Sequence, residues 1–185
     1  MSKLQDKTLK LVDEAFKAIE EAQKIIVLAP DDSFQDPDSV GSNYALKVFV
    51  ENLGKTVCWF GYGGTKKNLL FCTGSDECID IKENLNLLPK DINEYDLVLI
   101  SDGSYSGMFA KAFNRLPWLK SKYTIAFDHH STTPDEFVDL AVIEKEQSAA
   151  TGLVYRAIKH LGFNVDKKVA TAILEGIIND TGYFQ

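Results

Sequence analysis

Apolar positions three and four residues apart, separated by acids and lysines, run through residues 4–22. Leu4, Leu11, Val12, Ala15, Phe16, Ile19 and Ala22 share one helical face, which predicts an opening amphipathic helix. The pattern then changes. Residues 24–29, Lys-Ile-Ile-Val-Leu-Ala, form a continuous apolar run stopped by Pro30, as in a strand covered on both faces of a parallel sheet. A helix is predicted from about 42 to 52, closed by Gly54, which suits the left-handed turn after a helix end. Residues 56–60, Thr-Val-Cys-Trp-Phe, give a second strand and complete a β-α-β unit. Residues 61–90 are less regular, with a glycine-rich turn, an apolar run at 69–72 and a polar region around Gly74, Ser75 and Asp76. Apolar runs at 96–101, 123–127 and 140–143 read as further strands, and helical spacing returns over 149–161 and 167–178. Strands alternating with helices predict one α/β domain over residues 1–185, with a mostly parallel sheet and helices on both faces.

Composition narrows the function classes. With 45% hydrophobic and 25% charged residues the chain reads as soluble and globular. No apolar run approaches the roughly 18 to 20 residues of a membrane span. Residues 1–20 lack the cationic head, long apolar core and cleavage site of a secretory signal, so the expected location is cytoplasmic. Cys58, Cys72 and Cys78 have no C-x-x-C spacing and read as buried thiols, not as a disulfide or zinc framework. A net charge of −7 argues against tight binding along duplex phosphates, which needs clustered Lys and Arg. Small or single-stranded phosphate substrates stay open, because carboxylates neutralised by divalent cations make the formal charge overstate the working charge of a site.

In an open α/β sheet, ligands bind beyond the carboxyl ends of the strands. Three strands here lead into acids: the first through a loop to Asp36-Pro37-Asp38, the third into Asp102, the fourth into Asp128-His129-His130. Asp180 follows an apolar helix and can reach the same edge. Each feature has a plainer reading. Asp-Pro-Asp is common turn chemistry, Asp102 before Gly103 can start a turn, and Asp180-Thr181-Gly182 can close a helix. His160, alone on a polar helix face, reads as solvated. Gly61 to Gly64 with Lys66 and Lys67 can touch a phosphate through amides and ammonium groups, although such a run is usually a turn. The joint pattern is more specific. Carboxylates and two imidazoles converging on one edge would desolvate and repel one another without cations. Oxygen ligands with few imidazoles and no thiolate favour Mn2+ or Mg2+ over zinc. Two such ions about 3.5 to 4 Å apart would activate water and clamp a phosphoryl group.

Asp128-His129-His130 resembles the name-giving motif of the DHH phosphoesterase superfamily, and three other segments fall in that family's order, spanning residues 24 to 184. The family's first motif, H-x-x-x-D-x-D-x-x-G-S, is similar to the segment from Asp32 through Asp36, Asp38 and Gly41 to Ser42. Its second is a strand-ending acid, here Asp102, and its fourth is Asp180-Thr181-Gly182. The resemblance implies that Asp36 and Asp102 hold one Mn2+, and that Asp38, Asp102, His129 and Asp180 hold the other. His130 would then face the scissile phosphate, with Asp128 orienting the histidines. Thr151 resembles a family helix start and receives no catalytic role. Asp32 stands where the family has histidine, which implies a carboxylate ligand at the first ion or a degenerate domain that binds nucleotide or metal without turnover. The chain ends five residues after Asp180, where RecJ-like exonucleases and the nano-RNA and phosphoadenosine-phosphate phosphatases continue into a substrate-binding domain. The implied activity is hydrolysis of short oligonucleotides or phosphorylated nucleotides, with a pyrophosphatase- or exopolyphosphatase-like hydrolase as the neighbouring reading. A homodimer stays open.

Overall fold

The computed structural model describes residues 4–184, so the first three residues of the N-terminal stretch and Gln185 lie outside it. Six strands, β1 (Lys24–Leu28), β2 (Thr56–Gly61), β3 (Ile79–Asp80), β4 (Leu97–Ser101), β5 (Tyr123–Asp128) and β6 (Leu140–Ile143), pair in the order β3-β2-β1-β4-β5-β6. Every pairing is parallel. Five helices surround the sheet: α1 (Asp6–Glu21), α2 (Pro37–Asn52), α3 (Ala110–Arg115), α4 (Ala150–His160) and α5 (Lys167–Asp180).

The continuous apolar strands follow from cover on both faces. Ile25 and Val27 of β1, Leu97 and Leu99 of β4, and Ile125 and Phe127 of β5 join one core with α1, α2, α4 and α5. The alternate residues Ile26, Leu28, Val98, Ile100 and Ala126 join a second core with Phe109, Ala112, Phe113 and Leu119. Each buried aliphatic or aromatic side chain of this kind contributes about 1.5–3 kcal/mol. Helices do cover both faces, unevenly: four on one, and on the other α3 with short 3-10 turns.

The strand order places the site. β1 pairs with both β2 and β4, so the chain moves outward to β3 and then returns across β1. The segment after β1 enters α2 on one face, and the segment after β4 enters α3 on the other. Between them lies the crevice where such sheets bind ligands.

Two boundaries and one helix differ from the periodic reading. α2 begins at Pro37, five residues before the predicted start, because Asp36 Oδ1 accepts from Ser39 N at 2.9 Å while Ser39 Oγ accepts from Asp36 N at 3.0 Å. This reciprocal cap, with proline at the first helical position, makes a helix start out of what reads as a loop. α3, six residues long, is too short to show a period. α5 continues to Asp180, which lies in its last turn. His160 is exposed on α4, and its Nε2 lies 2.8 Å from Asp13 Oδ1 on α1 in a surface pair. The cysteines are free, and burial pushes the Cys58 and Cys72 thiols up to about 11.

α2 and α5 approach closely at Gly41, where an added Cβ would lie 2.4 Å from the Ala172 carbonyl oxygen. Gly41→Ala must therefore push two backbones apart. Overpacking of this kind costs about 1–3 kcal/mol, and thermal unfolding is expected to move down by roughly 3–10 °C. An unchanged midpoint would show that the helices separate freely.

Candidate metal centre

Asp38, in the first turn of α2, is fully buried. Its carboxylate meets the start of α4: Oδ2 accepts from Ala150 N at 2.6 Å, and Oδ1 from Thr151 N at 2.9 Å and Thr151 Oγ1 at 2.6 Å. Burial disfavours the anion and Asp180 adds repulsion, while these three donors favour it, so its pKa rises only to about 6. α5 closes over this pair at Gly176, where a Cβ would stand 2.8 Å from Asp38 Oδ1.

Asp102 directly follows β4 with φ 63, a left-handed conformation that Asp tolerates better than most residues. Its amide still donates to Phe127 O at 3.0 Å, continuing the sheet ladder while the side chain turns into the crevice. Burial, only partly offset by His129 and reinforced by Asp38 and Asp36, pushes its carboxyl up to about 8.

His129 follows β5. Its Nε2 lies 3.2 Å from Asp180 Oδ2, 3.5 Å from Asp102 Oδ1 and 3.7 Å from Asp38 Oδ2. Its Nδ1 is 3.3 Å from Gln147 O, a carbonyl that can only accept, so the ring proton belongs on Nδ1. Nε2 then presents its lone pair to the carboxylates, and it is buried without a hydrogen-bond partner. In the metal-free protein burial opposes an imidazolium, but Asp102 and Asp180, with Asp38 behind them, outweigh it and push the ring pKa to about 10. A proton or a cation must occupy this point.

His130 Nδ1 lies 2.7 Å from Asp128 Oδ1 and 3.8 Å from Asp102 Oδ1. Asp128 is fully buried, and its Oδ2 accepts from Ser104 Oγ at 2.8 Å. Burial would raise its pKa, but the donors from the His130 ring and amide and from Ser104 hold it below the usual carboxylate range. With Nδ1 fixed on Asp128, His130 offers Nε2 to the cleft that its half-exposed ring borders.

Two sets of ligating atoms gather within 4.8 Å: Asp38, His129 and Asp180, and Asp102, His129 and His130. A buried imidazole nitrogen without a partner, facing three carboxylates, suits a hard divalent cation. Asp36 belongs to neither set. Its carboxylate caps α2, and the residue lines the same cleft as Asp102 and His130. Asp32, read as a ligand, stands outside both sets as well, because its Oδ1 pairs with Lys111 Nζ at 2.6 Å. The amides of the glycine turn are also engaged: Gly63 N donates to Asp80 Oδ1 at 2.9 Å and Gly64 N to Gly61 O at 3.2 Å. Lys66 Nζ donates to Gln35 O, so this segment is a turn and not a phosphate cradle.

Several supporting residues escape the sequence reading: Ser104, Gln147, and Asp31, whose buried carboxylate accepts from Lys111 N at 2.7 Å and Ala112 N at 3.2 Å. Thr151, at the start of α4, donates twice to Asp38 and with the Ala150 amide holds its carboxylate.

No family model matches the chain. Among curated proteins, the bifunctional oligoribonuclease and PAP phosphatase NrnA of Thermus thermophilus is 28% identical over 150 residues, 81% of this chain and 41% of that protein. An uncharacterized protein of Methanocaldococcus jannaschii is 27% identical over 152 residues, covering 81% of this chain and 29% of its own length. The chain thus spans less than half the length of these relatives. An exopolyphosphatase-related protein from Bacteroides fragilis superposes with a TM-score of 0.81 at 24% identity, over 95% of this chain and 51% of that one, and shares the α/β fold. The likeness to NrnA supports the DHH superfamily resemblance drawn from the motifs, and the structural likeness shows the fold. No helix among the described residues is long and apolar enough to cross a membrane.

Proposed function

We propose that this chain carries the catalytic site of a metal-dependent phosphoesterase acting on phosphorylated nucleotides or short oligonucleotides. The observation that carries this reading is the buried, unpartnered Nε2 of His129, facing Asp38, Asp102 and Asp180 at 3.2–3.7 Å. The likeness to NrnA supports the substrate class. Asp38, Asp102, His129 and Asp180 would hold the metal, with Asp36 on the cleft wall beside them. Two Mn2+ or Mg2+ ions would supply a hydroxide near neutral pH and offset the charge of a phosphoryl group. The chain's own residues do the rest. Thr151 and the α4 amides keep Asp38 ionised and fixed. Gln147 sets the His129 tautomer. Asp128 and Ser104 lock His130, and the Asp128 carboxylate raises its pKa, so that as an imidazolium the ring would donate from Nε2 to a phosphate oxygen.

The Asp32–Lys111 pair favours a second reading, a domain that binds nucleotide or metal without turnover, because the residue standing at the family's first ligand position has another partner. The two readings separate on purified protein with Mn2+, Mg2+ or EDTA, using adenosine 3′,5′-bisphosphate, RNA dimers, pyrophosphate and tripolyphosphate. The expected result is Mn2+-dependent release of nucleotide or phosphate, abolished by EDTA and restored by excess metal. Calorimetric binding of Mn2+ or nucleotide without hydrolysis would establish the second reading, and absence of binding of Mn2+, Mg2+ and nucleotide would remove both.

A further inference from the structure

The cleft beside the carboxylate–histidine cluster has a volume of about 300 Å³. Its lining combines acids and an imidazole, Asp36, Asp102, Asp128 and His130, with the rings of Phe34 and Tyr105 and the thioether of Met108. Among the described residues its lining contains no lysine or arginine. The Phe34 ring meets Tyr105 edge to face, with centroids 6.1 Å apart and planes at 88°. Phe34 is nevertheless 41% exposed.

This exposed ring stands on a pinned backbone. On one side Asp31 N donates to Met108 O at 2.7 Å, and Asp32 N to Tyr62 O at 3.0 Å. The Asp31 carboxylate accepts from the Lys111 and Ala112 amides. On the other side the Gln35 amide group donates to Pro30 O at 2.9 Å and Gly64 O at 2.6 Å. Tyr105 is fixed in turn by its neighbour Ser106, whose amide donates to Asp135 Oδ2 at 2.7 Å. An apolar ring held open to water beside a polar cleft gains free energy when a flat partner covers it. A polyphosphate chain extending from the cluster would instead meet rings and a thioether where it needs cations. A nucleotide suits both kinds of lining, with its phosphate at the acids and histidines and its base against the rings.

We propose that Phe34 and Tyr105 form a stacking platform for one nucleobase of the substrate, so that the cleft selects nucleotides over inorganic polyphosphate. The proposal rests on the phosphoesterase reading for the placement of the phosphate.

Its test compares the adenine dinucleotide pApA with the same phosphodiester carrying abasic sugars, and measures saturation transfer from the Mg2+-loaded protein to the adenine protons of AMP. Stacking on an aromatic residue is sequence-tolerant, and alanine substitution commonly costs tenfold or more in binding. Phe34→Ala should therefore lower the ratio of kcat/KM for pApA over the abasic compound about tenfold, through KM, and weaken saturation transfer. Phe34→Trp should preserve both. A ratio and a transfer signal unchanged in Phe34→Ala and Tyr105→Ala would overturn the platform, as would equal kcat/KM for the two compounds in the parent protein. If the parent hydrolyses neither compound, the phosphoesterase reading falls on its own. The saturation-transfer comparison still decides for or against the platform.

Discussion

Replacing Asp102 by Asn is expected to lower Mn2+-dependent hydrolysis at least about a hundredfold while leaving the fold intact. Asp102 Oδ1 is the atom that faces both histidines, 3.5 Å from His129 Nε2 and 3.8 Å from His130 Nδ1, so its charge touches both sets of ligating atoms. Asn keeps the volume and, like Asp, tolerates the left-handed backbone at φ 63. What the substitution removes is one desolvated charge beside Asp38 and Asp36. In EDTA the variant is therefore expected to unfold at a temperature equal to or a few degrees above the parent, because a repelling carboxylate has gone. The pairing of lost activity with kept or improved metal-free stability separates a ligand from a structural residue. A variant that binds Mn2+ and retains parental activity would end the assignment of Asp102 to the metal centre.

The sheet was legible because parallel strands buried on both faces must be apolar throughout, and β1, β4 and β5 sit where those runs lie. The approach of Asp38, Asp102, His129 and Asp180 was legible only in part: Asp102 and His129 lie just past strand ends, whereas Asp38 and Asp180 sit in the first turn of α2 and the last turn of α5. Polar partners were not legible, because hydrophobic periodicity carries no information about a contact made far along the chain. Asp38 finds its donors 112 residues away at Ala150, and Asp32 finds Lys111 at a separation of 79. Nothing local to Asp32 marks it as an ion-pair partner. The early start of α2 did leave a local trace, since Asp36, Pro37 and Ser39 spell a cap, but the same letters also spell a turn. Phe34 left none. Its significance lies in being exposed and held, which only the structure shows.

The metal-free protein is expected to lose stability as pH rises, and Mn2+ is expected to restore it most strongly at high pH. Burial raises Asp38 to about 6 and Asp102 to about 8, and the surrounding carboxylates raise His129 to about 10 against its own burial. In the unfolded chain these groups titrate near about 3.9 for Asp and 6.5 for His. All three folded values lie above the unfolded ones, so the native state binds more protons, and stability falls with pH. The loss begins near pH 4 for both acids and is complete by about 6 for Asp38 and 8 for Asp102; His129 adds to it between about 6.5 and 10. Asp128, held below the usual range, acts in the opposite sense, but only in acid below this window. In EDTA the unfolding midpoint should therefore drop by several degrees or more between pH 5 and 8.5, each kcal/mol being worth about 2–4 °C for a chain of this size. A cation takes the place of those protons, so its affinity must climb over the same interval. Mn2+ at a hundred times its dissociation constant adds about 2.7 kcal/mol, and the midpoint shift it causes should be several degrees at pH 8.5 and near zero at pH 5. His129→Gln should flatten the upper part of the curve, and Asp102→Asn the part around neutrality. A metal-free midpoint that stays level from pH 5 to 8.5, or a Mn2+ shift of equal size at both ends, would mean that these groups hold neither the protons nor the cation assigned to them.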